Sequence, residues 1–117
     1  MVEAAEEFRA ALRLRSKFSL ASNNLAWILA TEQEPVLRHP EEAVTLAEGA
    51  ARETKREDPG VLDTLAVAYA AAGRRKDALL TAREALAVAR AEQRNDLVPL
   101  LDERVHSYER AGRASAP

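Results

Sequence analysis

Between residues 62 and 86 the chain reads Leu62-x-x-Leu65-Ala66-x-x-Tyr69-x-x-x-Gly73, then Ala78-x-x-x-Ala82-x-x-Ala85-Leu86. Apolar residues three and four apart mark one face of a helix. Gly73 follows at the position where a left-handed residue closes a helix cheaply. The small residues after it recur at the same helical spacing and let a second helix approach closely. The stretch therefore predicts two helices packed face to face as an antiparallel hairpin.

The rest of the chain is consistent with more of the same. Its 117 residues are 47% hydrophobic but only 4% aromatic. Alanine dominates the apolar set, and it is both the strongest helix former and small enough for close helix contact. A chain of this length is expected to be one domain or one module of a longer array, and is long enough to bury a core.

The net charge of −2 provides no bulk field for nucleic acid, and no basic run exceeds Arg74-Arg75-Lys76. With no cysteine there is no disulfide frame, thiolate metal site or cysteine nucleophile. Apolar runs such as Leu65 to Ala72 are too short to span a bilayer. The acidic start, Met1 to Glu7, is unlike a signal peptide, so the expected compartment is the cytoplasm.

Six helices are expected. The first covers about 2–15, with Phe8, Ala11 and Leu12 on one face, and Ser16 to Ser19 ends it. The second runs from about 19 to 31 through Leu25, Ala26, Ile28 and Leu29. Pro35 and Pro40 make 31–40 a loop. Pro40 suits the first turn of the third helix, with Glu41 and Glu42 at the positive end of its dipole and its run ending near Glu53. Asp58-Pro59 is the sharpest start signal in the chain, a capping side chain followed by proline at the first helical position. The fourth helix ends at Ala72, and the fifth spans about 75–93. Asn95 or Asp96 is expected to cap the sixth, which has Pro99 in its first turn and stops at Gly112.

The central hairpin has echoes on both sides. Ala78, Ala82 and Ala85 recur thirty-five residues earlier as Ala43, Ala47 and Ala50, and Leu65-Ala66 recurs as Leu25-Ala26. Tyr69 and Gly73 recur thirty-nine residues later as Tyr108 and Gly112. Ala4-x-x-x-Phe8-x-x-Ala11-Leu12 carries the offsets of the second helix of the unit.

With a period near 34 residues, these motifs resemble the tetratricopeptide repeat. The resemblance covers nearly the whole chain. It divides the single domain into a second-type half-repeat helix at 1–16, a repeat at 19–57 with a loop insertion at 31–40, a repeat at 59–92 and a C-terminal capping helix at 95–112. Leu62, Ala82 and Arg90 stand where the family often has Trp, Phe and Pro. The implied fold is all-α, a right-handed superhelix of antiparallel hairpins, in which each unit covers the apolar face of the next.

The same resemblance implies that the first helix of each unit lines a concave groove. Carried onto this chain, the groove positions are Leu20, Asn23, Trp27 and Thr31, then Asp63, Val67 and Ala70, then Asp102, His106 and Glu109. Trp27 either anchors a bound peptide or packs beneath the loop from Pro35 to Pro40. Some members of the family grip a terminal carboxylate with Lys, Arg and Asn. Here only Asn23 or Asn24 fits, and Asp63, Asp102 and Glu103 have the wrong sign, so a neutral or basic peptide is the expected ligand.

Catalysis and cofactors are not expected. Asp102, Glu103, His106 and Glu109 share one helix at metal-like spacing, but one exposed helix is more often a solvated face, and His39 stands apart in a loop. Paired acids such as Glu6-Glu7 and Glu41-Glu42 are adjacent, and helical neighbours do not face each other. The four glycines are isolated, which excludes a phosphate-cradling loop.

The expected function is a noncatalytic protein-interaction module binding a peptide or partner helix. Two alternatives stay open: self-association through the apolar face of the first helix around Phe8 and Leu12, or an accessory repeat segment of a larger enzyme, secretion or assembly machine.

Overall fold

The computed structural model describes residues 4–7, 9, 19–33 and 38–115. They form six helices and no strand: α1 through residues 4–7, α2 at Ser19–Thr31, α3 at Pro40–Glu53, α4 at Pro59–Ala71, α5 at Arg75–Ala91 and α6 at Val98–Ser115. Phe8, Ala11, Leu12, Pro35 and the 16–18 break lie outside the described residues.

Local signals set several boundaries. The Asp58 side chain accepts hydrogen bonds from the Gly60 and Val61 amides, at 2.9 and 3.3 Å, and caps α4 with Pro59 in its first turn. Pro40, Glu41 and Glu42 open α3.

Three helices end alike. At the end of α4 the Arg74 amide donates to the Tyr69 carbonyl at 2.8 Å and the Gly73 amide to Ala70 at 3.1 Å, with Gly73 at φ 80. The same pair of bonds closes α3, from Arg56 to Ala51 and from Lys55 to Arg52. It also closes α5, from Arg94 to Ala89 and from Gln93 to Arg90. This is the paired-bond C-cap that normally uses glycine, yet Lys55 and Gln93 adopt it at φ 57 and 55.

The sixth helix departs from expectation. It begins at Val98, three residues after Asn95, and runs through Gly112 to Ser115. Asp96 is engaged instead by the Arg94 guanidinium, at 3.0 and 3.1 Å. Gly112 lies inside the helix close to α5, where an added Cβ would stand 3.4 Å from Arg75 Nε. It is an interior residue of the helix rather than a stop.

α2 packs on α3 and α4 on α5. α3 also packs on α4, α5 on α6, and α2 on α4. The molecule measures 41 × 35 × 20 Å, so it is about two helix diameters thick. Leu25, Leu29, Leu62, Leu65 and Leu101 are its largest fully buried aliphatic side chains. Between them runs a seam of completely buried alanines that includes Ala26, Ala43, Ala47, Ala66, Ala78, Ala82 and Ala85. No described helix is long and apolar enough to cross a membrane.

Candidate functional site

Three helices contribute to one cluster because of their packing. α2 lies against α4, and Arg104 of α6 reaches both. Its Nε donates to Asp63 Oδ1 at 2.9 Å and its Nη2 to Oδ2 at 3.3 Å. The same guanidinium lies 5.8 Å from the centre of the Trp27 ring, within range of a cation–π contact. Asp63 is only 8% exposed, and the Arg104 side chain is 29% exposed. Hydrogen bonding to Asp63 raises the Arg104 pKa above its ordinary value, and the two-bond fork holds the guanidinium in one orientation.

Around this pair the face is mixed. Trp27 is 36% exposed and Leu20 61%, the two most exposed large apolar residues of α2. They stand seven residues apart, which is about 10.5 Å along the helix. The Thr31 hydroxyl donates to the Trp27 carbonyl at 2.7 Å. Asn23 is half-buried, and its Oδ1 has no hydrogen-bond donor among the described residues. With Leu20 it lines a cavity of about 210 Å³ next to Thr54, Asp58 and Val61. Val67 and Ala70 are half-buried against the core.

The α6 positions fall elsewhere. Asp102 and His106 are solvent-facing, with His106 Nδ1 2.8 Å from the Asp102 carbonyl oxygen and 3.5 Å from its carboxylate. The carbonyl can only accept, so this contact places a proton on Nδ1. Glu109 accepts from Arg83 of α5 at 3.1 Å. Neither Asp102 nor His106 makes a contact with Trp27 or Asp63 among the described interactions. The structure thus brings Trp27 and Asp63 together and leaves His106 apart.

Arg104 is the residue missing from the sequence reading. The thirty-nine-residue register that pairs Tyr69 with Tyr108 also pairs Leu65 with Arg104, and Leu25 holds the same place in α2. A cation where two sister helices carry a core leucine needs a counter-charge close by, and Asp63 is that charge. Arg104 also alters the electrostatics of the face. Asp63 is matched by Arg104 and Glu103 by Arg110, at 2.8 Å, so these acids leave little field to attract a basic ligand.

Among the described residues, no group of three or more His, Cys, Asp or Glu side chains is placed to hold a metal ion. No protein-family model, curated protein or solved structure matches the chain.

Proposed function

We propose that this chain is a noncatalytic protein-interaction module of the tetratricopeptide kind. In this reading its hairpins form a right-handed superhelix, and the face shared by α2, α4 and α6 receives a neutral or weakly basic peptide or a partner helix. The observation that carries it is Trp27, a partly exposed aromatic on α2 fixed from one side by an arginine that is itself locked to α4. An exposed tryptophan beside a pre-oriented guanidinium is the kind of rigid anchor on which interface energy concentrates. Because Asp63 already holds Arg104, little side-chain ordering is left to oppose binding. Leu20 and Trp27 provide two apolar contacts spaced for side chains two helical turns apart on a partner helix, or about three residues apart on an extended strand.

Trp27 is the only tryptophan, so it reports on its own surroundings. Peptides selected from a displayed random library should shift its emission on binding. They should lose roughly ten- to hundredfold in affinity to a Trp27→Ala variant. Peptides that bind this variant as tightly as the parent protein, with no change in Trp27 emission, would refute the reading.

A further inference from the structure

A concave surface that does not include Trp27 lies between the start of α5 and the end of α6. There Leu79 of α5 and Tyr108 of α6 line a cavity of about 400 Å³. Gly112 forms part of its wall. The rim is basic, with Arg75 and Lys76 on one side and Arg113 on the other. The one acid in the lining, Glu109, is engaged by Arg83 of α5. Lys76 and Arg113 are exposed, and no carboxylate pairs with either among the described residues.

The placement of the cations also runs against the local preference of the helix. α3 opens on Glu41 and Glu42, and α4 on Asp58. α5 opens on Arg74, Arg75 and Lys76, at its positive pole, where cations are unfavourable. Asp77 is the only acid in that turn, and Arg74 takes it at 2.9 Å. Lys76 thus stands against the local preference, as residues at binding surfaces can.

We infer that this cavity docks an acidic peptide segment with a bulky apolar centre. The apolar anchor enters between Leu79 and Tyr108, and flanking carboxylates pair with Lys76 and Arg113. Exposed ion pairs contribute little individually, so the anchor provides the affinity and the rim selects the sign of the partner.

The probe is a fluorescein-labelled, end-blocked peptide of sequence Asp-Glu-Asp-Phe-Leu-Asp-Glu, followed by anisotropy and by amide shifts of Leu79, Tyr108 and Gly112. Binding should weaken as salt is added. It should fall roughly tenfold or more in the Lys76→Glu, Arg113→Glu double variant, and it should persist in Trp27→Ala, which separates this site from the α2–α4–α6 face. Both substituted residues are exposed, and Lys76→Glu should raise the melting temperature because it restores the preferred charge at the start of α5. That pairing of higher stability with lost binding is the expected signature. Three results would each overturn the inference: no amide shifts at millimolar peptide, unchanged binding in the double variant, or equal binding of a peptide with Ser-Gly in place of Phe-Leu. Binding of anionic vesicles at these residues without binding of the peptide would overturn it as well.

Discussion

α4 and α6 begin from related sequences and are held in different ways. Nine of the thirteen residues of α4 are buried, its start is capped by Asp58, and α2, α3 and α5 all pack on it. In α6, Leu101 and Val105 enter the core, while Leu100 is 43% exposed. Its attachments include Arg104 to Asp63 and Glu109 to Arg83. A helix inside the stack is specified by packing. The helix at its edge adds ion pairs to its packing, and such a helix can present polar groups to a ligand without dismantling a core.

The sharpest way to break this comparison is to shorten one leucine in each helix. Leu65→Ala in α4 should cost about 2–5 kcal/mol in urea unfolding, through lost burial and the cavity it leaves. Leu100→Ala in α6 should change stability by less than about 0.5 kcal/mol. Equal effects would mean that Leu100 is as much a core residue as Leu65.

Next in size is Asp63→Ala, which strands the Arg104 guanidinium against Trp27. The expected cost is about 1–3 kcal/mol, with faster amide exchange concentrated in α6. If exchange quickens equally in α4 and α6, the ion pair is not what attaches the last helix.

The third test is alkaline titration. The Tyr69 hydroxyl donates to Glu48 at 2.7 Å, and burial together with that bond pushes its pKa up to about 12. The Arg74 guanidinium, 4.5 Å from the ring centre, opposes this in part. The folded value lies above the unfolded one near 10. Tyr69 therefore contributes its stability fully below about pH 10 and loses it as pH rises towards 12. Parent protein should lose up to about 2 kcal/mol more than Tyr69→Phe across that window. Burial also raises the Tyr108 pKa, and these are the only two tyrosines. Tyrosinate absorbance should accordingly appear late for both.

The smallest effect is stabilising. Gln93→Gly, at the joint between α5 and α6, relieves a non-glycine residue at φ 55 and should add about 0.5–1 kcal/mol to the melting free energy. Lys55→Gly should act likewise. A neutral outcome at both would mean that the paired-bond cap tolerates side chains here without strain.

The interior was more legible in the sequence than the edge, for a physical reason. Asp58-Pro59, Pro40 and Gly73 act within one helical turn, so their effect does not depend on the rest of the fold. Leu65, Ala66, Ala78 and Ala85 are core residues whose spacing states their role. Gly112 repeats Gly73 in register but not in conformation, because α6 continues past it to Ser115. The Arg104–Asp63 pair joins residues forty-one apart, and its meaning depends on a contact between helices that local patterning does not encode. The exposure of Trp27 likewise follows from what packs around it. A sequence pattern places tryptophan on a helix face but does not say what covers that face.

The alanine seam has a consequence for the candidate site. A leucine core is damaged by truncation, whereas a seam of fully buried alanines is damaged by growth. Where two backbones meet with only methyl groups between them, an added methylene has no rotamer into which to retreat, and a whole helix must shift. Ala78, Ala82 and Ala85 therefore act as spacers that set how far α5 stands from α4. Because α6 rides on α5, they also set whether Arg104 can still reach Trp27. Enlarging one of these residues would change the recognition face from a distance, with no residue of that face altered.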